Sequence, residues 1–304
     1  MRLVLLVLDC TPKTRRCQMA VPKPKYPLAI PVKAGLDIIE RLELRAETSL
    51  SDNVNDYRDY SSVLFSAHAP TSVGNERLNI AAIDDEFRDL SISVFKDYLD
   101  RCVSFPNIKQ LNLHFGLKYW MSESQPRGQI GDYHRHVESV RTIADHANKY
   151  GIEIVMENLN SYWSANGISD QTPENEVEWI GKNEAFGMHP EEWIKMCLDI
   201  DRENVRLCLD SSHVSTYAHR FAADIRETKI STFLSQPGLI SHVHWSDNYL
   251  YDVRGRQDSH LSVGRGTIPT EFHKRIKRLD ATILLEHFYT LDELEEELEF
   301  IDKL

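Results

Sequence analysis

A chain of 304 residues, 41% hydrophobic and 27% charged, has the balance of an ordinary globular protein and can bury a sizeable core. Its formal net charge of -12 argues against a surface built mainly to hold nucleic acid or anionic lipid. Five scattered cysteines (Cys10, Cys17, Cys102, Cys197, Cys208) form no C-x-x-C pair, which suits reduced thiols in a cytoplasmic protein.

The chain opens on "RLVLLVL" (2–8). This run is too short for a membrane span and lacks a small-residue cleavage site, so it reads as a buried first strand rather than a signal peptide. Residues 10–40 are rich in proline, show no clear long helix, and are expected to form an irregular excursion. Strand-like runs follow at "RLELRA" (41–46), "SVLFSAH" (62–68), "IKQLNLHF" (108–115) and "IEIVMEN" (152–158). They continue with "VRLCLD" (205–210), "ISHVHW" (240–245) and "TILLEH" (282–287).

Helical spacing of apolar residues predicts helices over 84–103 and 133–150, the second stopping at Gly151. Pro190 followed by acids marks the start of a helix over 189–200, and 290–304 reads as an acidic amphipathic helix. Eight strands alternating with helices over this length is the pattern of a (β/α)8 TIM barrel. A doubly wound sheet would show a nucleotide loop after its first strand, and none follows residue 8. With no repeats or linkers, residues 1–304 are expected to form a single TIM-barrel domain of the α/β class.

Chemistry in such a barrel sits at the C-terminal ends of the strands. Six successive strands deliver a His, Asp or Glu there: His68, His114, Glu157, Asp210 with His213 one turn on, His244, and Glu286. The loop after His244 adds Asp258 and His260. Nine convergent carboxylates and imidazoles would be costly to bury unless they share a metal ion. The donors include no thiolate and suit Zn²⁺, Mn²⁺, Co²⁺ or Fe²⁺. His134 and His136 are expected to be solvated, His189 to cap its helix, and His287 to point away from the site. His242 shares a face with His244 and is expected to support that residue rather than bind metal.

Aromatic residues in the loops after the fourth and fifth strands could stack on a sugar ring or on a base: Tyr119, Trp120, Tyr162 and Trp163. The segment "RQDSHLSVGRG" (256–266) has the glycines of a phosphate cradle, but no fingerprint or helix start surrounds them in the right order. They are expected to turn the chain into a helix near residue 270, after Asp258 and His260 have been presented to the site.

The stretches "FSAHAP", "LNLHFG", "IVMENLN", "LCLDSSH", "HVHWSDN", "DSHLSVGRG" and "ILLEH" together resemble the xylose isomerase-like TIM-barrel superfamily. That superfamily groups sugar isomerases and epimerases with endonuclease IV-like DNA repair enzymes. The resemblance implies that Glu157, Asp210, His244 and Glu286 hold one divalent metal, and that Glu157 and Glu286 serve as the catalytic acid and base. In the endonuclease IV pattern, His68, His114, His213, Asp258 and His260 would complete a site for three zinc ions.

Three features bear on the choice. Thr71-Ser72 stands where endonuclease IV relatives carry Tyr-Leu. The loop over 159–187 holds Asp170, Glu174, Glu176, Glu178 and Glu184 against Lys182 alone, an acidic rim unsuited to a phosphate backbone. Ketose epimerases place an Arg soon after the strand-seven His, and here Arg254 is too far along to align.

The resulting expectation is an isomerase or epimerase of sugars, sugar phosphates or keto acids, moving a proton by way of a metal-stabilised enediolate. Trp120, Trp163, His213 and His260 are the expected substrate contacts. An endonuclease IV-like phosphodiesterase is the alternative, and a barrel that binds metal without catalysis is a third reading. The number of ions, from one to three, and homo-oligomer formation are left open.

Overall fold

The computed structural model describes residues 26–121 and 126–304. Eight parallel strands close into a barrel: β1 (Ala29–Pro31), β2 (Arg45–Thr48), β3 (Leu64–His68), β4 (Gln110–His114), β5 (Glu153–Glu157), β6 (Val205–Asp210), β7 (Ile240–His244) and β8 (Thr282–Leu284). Closure comes from β1 lying parallel to β8, with Ala29 opposite Leu284. This is the TIM barrel that the alternating pattern predicts.

Such strands are covered on both faces, so they read as near-continuous aliphatic runs. Ile154, Val155 and Met156 of β5 are fully buried. The helices pack outside through residues at i, i+3 and i+4 spacing. In α3 (Tyr133–Asn148), Val137, Val140, Ala144 and Ala147 face the barrel. Side-chain caps start two of the long helices: Asp84 accepts from Phe87 N at 3.1 Å ahead of α2 (Asp85–Cys102), and Asp132 accepts from Arg135 N at 2.9 Å ahead of α3. The other predicted helices appear as α4 (Pro190–Ile200) and α8 (Leu291–Lys303).

The first βα units differ from expectation. The run 2–8 lies outside the described residues, and the place beside β8 belongs to Ala29–Pro31 instead. Part of the segment expected to be irregular thus builds β1 and α1 (Leu36–Arg41). The second strand begins at Arg45 rather than at residue 41, because a turn with Glu43 at φ 55° separates it from α1. That shift carries β2 on to Glu47, which then becomes an interior barrel residue.

The barrel interior beneath the site is polar. Ser66 donates to Glu47 Oε2 at 2.7 Å, and His242 Nε2 lies 3.2 Å from that same oxygen. His242 Nδ1 meets Thr282 Oγ1 at 2.7 Å, and Thr282 donates to Gln110 Oε1 at 2.6 Å. At the other end, an antiparallel sheet of Leu117–Met121, Pro126–Gln129 and Glu184–Ala185 stands over the mouth, beside a hairpin of Ser72–Val73 and Glu76–Arg77.

His134 is exposed as expected, but His136 is fully buried. Its Nε2 accepts from Gly116 N at 2.9 Å and its ring stacks on Phe115, so burial pulls its pKa down to about 3. His287 is likewise buried, its Nε2 lying 2.9 Å from a Glu297 carboxylate on α8. Cys102, Cys197 and Cys208 are buried free thiols. No helix among the described residues is long and apolar enough to cross a membrane.

In the glycine-rich turn, Gly264 adopts φ 91° and donates its amide to Asp247 Oδ2 at 3.0 Å. Val263 N is taken by Glu297 Oε1 at 2.6 Å. The chain's own carboxylates occupy these amides, and the segment then runs into α7 (Thr270–Lys277). A Cβ at Gly266 would sit 2.4 Å from both Asn248 O and Asp247 Oδ1. G266A is therefore expected to destabilise the protein by about 1–3 kcal/mol, as overpacking does. Urea unfolding will show this as a lower midpoint at unchanged slope.

Candidate metal centre

Strand register brings the expected ligands to one level. His114 lies opposite Glu157 across β4 and β5, and Asp210 lies opposite His244 across β6 and β7. Asp210 ends β6 and accepts from His213 N at 2.8 Å, starting α5 (Ser211–Ala218) and setting His213 one turn into it. The chain beyond β7 returns by pairing Leu261 with Asp247, which brings Asp258 and His260 back over the centre. His260 is held at φ 41°, an uncommon backbone position for a non-glycine residue, and Tyr289 donates to its carbonyl at 2.7 Å.

All nine predicted residues meet. Glu157 Oε2 lies 3.3 Å from His114 Nε2 and 3.6 Å from His68 Nε2, while Oε1 lies 3.4 Å from His213 Nδ1. Glu286 Oε2 lies 3.0 Å from His244 Nδ1 and 3.3 Å from His260 Nδ1. Asp258 bridges the far side, 3.0 Å from His213 Nε2 and 2.8 Å from His260 Nε2. Ligand atoms of Glu157, Asp210, His244 and Glu286 all lie within 4.8 Å of one another. Smaller groups of the same kind are His68–His114–Glu157, Asp210–His213–His260 and, deeper in the barrel, Cys208–His242–His244.

The donor set fits a divalent cation. Asp210 Oδ2 and His114 Nδ1 are buried with no hydrogen-bond partner, and the His244 Nδ1–Glu286 Oε2 pair, 3.0 Å apart, lacks the geometry of a hydrogen bond. Leaving buried polar atoms without a hydrogen bond is costly, and Asp210, His244 and Glu286 belong to one four-residue cluster. The outer hydrogen bonds point the same way. His68 Nδ1 is 2.7 Å from Ala69 O and His213 Nδ1 is 2.7 Å from Asn158 O, contacts that put the proton on Nδ1 and turn Nε2 inward. His244 is reversed, with Nε2 3.3 Å from Glu47 Oε1 and Nδ1 toward the cluster. Glu157, Asp210 and His244 lie at the closed bottom, whereas the Glu286 side chain is 24% exposed, so the centre is open on the mouth side.

Charge in the centre is balanced locally. Burial raises Glu157 and Glu286, but the imidazoles of His114 and His244 for the first, and of His244 and His260 for the second, hold both well below the usual range. Burial and the charge of Glu286 push Asp210 well above it. Burial would lower His213, yet Asp210 and Asp258 raise it to about 10; Glu286 and Asp258 raise His260 to about 12 against its own burial.

Trp163 does not reach the mouth. It is 2% exposed, donates Nε1 to Thr216 O at 2.8 Å and packs edge-on against Trp179, so its ring has no face left for a ligand. Trp120 is half-buried at the mouth, edge-on to Tyr162. Within the loop after β7, Arg254 pairs with Asp252 and Arg256 donates to Ser169 O at 2.8 Å, so neither approaches the centre. His189 precedes α4, but its side chain makes no capping bond. Glu47, Asn112 and Arg77 were not picked out from the sequence. Asn112 donates to Glu157 Oε2, and the N-x-H spacing of Asn112 and His114 on one strand face was a usable signal.

With this geometry in view, similarity to known proteins narrows the family. The family model "Xylose isomerase-like TIM barrel" matches residues 29–304. The chain belongs to this family. D-psicose 3-epimerase of Agrobacterium fabrum is 28% identical over 203 residues, which is 64% of this chain and 60% of that enzyme. The match thus spans about three fifths of that relative's length. A D-tagatose 3-epimerase-like protein shares the fold with TM-score 0.61 and 20% identity, covering 91% of this chain and 99% of its own. The IolI protein, solved with a bound zinc atom, gives TM-score 0.58 at 14% identity, covering 91% of this chain and 94% of its own.

Two predictions follow from this centre. E47Q keeps the shape of Glu47 but weakens its hold on His244, and is expected to lower divalent-metal affinity about 10- to 100-fold. Calorimetric titration with Co²⁺ or Zn²⁺ measures this, and unchanged affinity would remove Glu47 from the account. His213 and His260, raised to about 10 and about 12, hold protons at neutral pH that a cation must displace. Metal uptake should therefore release protons and weaken as pH falls, read from titrations in buffers of different ionisation enthalpy.

Proposed function

We propose that this protein is a divalent-metal-dependent isomerase or epimerase of sugar-like ketones. The observation that carries this reading is the placement of Glu157 and Glu286 in one four-residue cluster, reached from β5 and from beyond β8. The similarity to D-psicose 3-epimerase supports a carbohydrate substrate.

A bound cation would supply Lewis-acid stabilisation of negative charge on the substrate's oxygens. The chain's own groups handle the proton. One glutamate takes the hydrogen from the carbon next to the carbonyl. The C–H electron pair becomes the new C=C bond, and the carbonyl pair moves onto oxygen. The other glutamate delivers to the opposite side a proton that it takes from the charged imidazole beside it, His260 at Glu286 or His213 at Glu157, which inverts the carbon. His260, open toward the mouth beside Asp258, and the buried His213 behind Asp258 orient the substrate's hydroxyl groups.

A phosphodiesterase reading rests on one observation, the two smaller ligand clusters that His68, His114, His213 and His260 build beside the first. Against it stand Thr71-Ser72 and the acidic 159–187 loop, although Arg226 and Arg220 pair with Glu174 and Glu184 there. Metal analysis giving three ions and cleavage of abasic DNA would favour that reading.

Solvent deuterium exchange into a panel of ketoses tests the proposal without prior choice of product. E157Q and E286Q are each expected to reduce exchange by about 10²–10⁴-fold while ligand-induced thermal shifts persist. Full exchange in both variants would contradict the acid–base assignment.

A further inference from the structure

We propose that Arg77 forms an anion-binding subsite at the barrel mouth, so that the substrate carries a phosphate or carboxylate remote from the carbon that exchanges its proton. This rests on the isomerase or epimerase reading and specifies its substrate class.

Arg77 ends the short hairpin that follows β3 and His68. It is half-buried, and its guanidinium lies over two aromatic faces, 5.0 Å from the Trp120 ring centroid and 5.1 Å from that of Tyr162. Its hydrogen bond among the described residues runs from Nη2 to Tyr162 Oη at 3.0 Å. No carboxylate among the described residues pairs with it. Other arginines of the loops at this end differ. Arg220, Arg226 and Arg254 face Glu184, Glu174 and Asp252, and Arg256 is spent on backbone carbonyls.

Trp120 and Tyr162 hold the guanidinium by cation–π contact while leaving its Nε and Nη1 hydrogens without an acceptor among the described residues. A planar fork of free donors, partly withdrawn from water, suits bidentate capture of phosphate or carboxylate. The position is right for a substrate group distant from the reacting carbon. Arg77 lines a cleft of about 660 Å³ together with Asn75, Trp120 and Gln129. It also lines a narrow crevice shared with His114, one of the candidate ligands. Tyr162 ties the two regions together, because its phenol lies in the field of both Glu157 and Asp258. Acids in the cleft do not neutralise Arg77: Asp84 caps α2, and Glu76 is exposed at the rim.

The test compares solvent deuterium exchange into a neutral ketose, its terminal phosphate ester and the corresponding keto acid, using metal-loaded wild type, R77M and R77K. The expected result is a preference of at least tenfold in kcat/KM for one anionic compound. R77M should remove it mainly through KM, and R77K should restore part of it. The phosphate and carboxylate arms show which anion the subsite takes. Equal exchange of neutral and anionic compounds, with R77M leaving their ratio unchanged, would overturn the subsite while sparing the proton-transfer reading. If no compound exchanges, that reading fails. The subsite is then judged by thermal shift of metal-free protein with inorganic phosphate: a shift lost in R77M upholds it, and a shift retained in R77M overturns it.

Discussion

At the mouth of this barrel, four carboxylates and five imidazoles are crowded together, neighbouring groups 2.8 to 3.8 Å apart, and the most deeply set are cut off from water. Burying one such charge alone is prohibitive; burying many is tolerable only if each neutralises another or all share a cation. Glu157 shows how tight the balance is, since one carboxylate answers to His68, His114, His213 and His244 together. Mutual charge pairing holds the crowd together, and the atoms of Asp210, His244 and Glu286 that make no hydrogen bond mark where a shared cation would complete it.

That constraint reaches into the barrel. A TIM-barrel interior is commonly filled with branched aliphatic side chains. Here the layer under the centre is Glu47, Ser66, Gln110, His242 and Thr282, joined by hydrogen bonds. Such a network is worth keeping only when it is satisfied throughout, and what it achieves is orientation: Glu47 meets His244 Nε2 and leaves Nδ1 to the cluster. Rigidity at the bottom contrasts with access at the top, where Glu286, His260 and Asp258 remain partly exposed and Trp120, Tyr162 and Arg77 frame the approach.

Much of this was legible in the sequence because strand ends are written in residue types. A hydrophobic run that stops at His68, His114, Glu157, Asp210 or His244 advertises its polar end, and strand boundaries from β3 to β7 fall within two residues of those read from the runs. The early barrel was less legible. Proline near β1 and a positive-φ turn at Glu43 broke the periodicity that marks an element, and the misplaced boundary hid Glu47. Trp163 and His136 failed for another reason. Each lies in a segment that reads as exposed, yet tertiary contacts with Thr216, Trp179, Gly116 and Phe115 bury them, and nothing local in the chain announces those partners. Arg77 escaped notice because a single arginine in a loop means little until Trp120 and Tyr162 are seen on either side of it.

The central claim is that the polar crowd at the mouth exists to hold a divalent cation among Glu157, Asp210, His244 and Glu286. Anomalous diffraction from crystals grown with Zn²⁺ or Mn²⁺, collected above and below the metal's absorption edge, tests it most directly. The account predicts a strong peak bounded by these four side chains, with His244 bound through Nδ1 and Glu47 still against its Nε2. A fully ordered centre with no peak there, or with metal only at sites away from these residues, would contradict it.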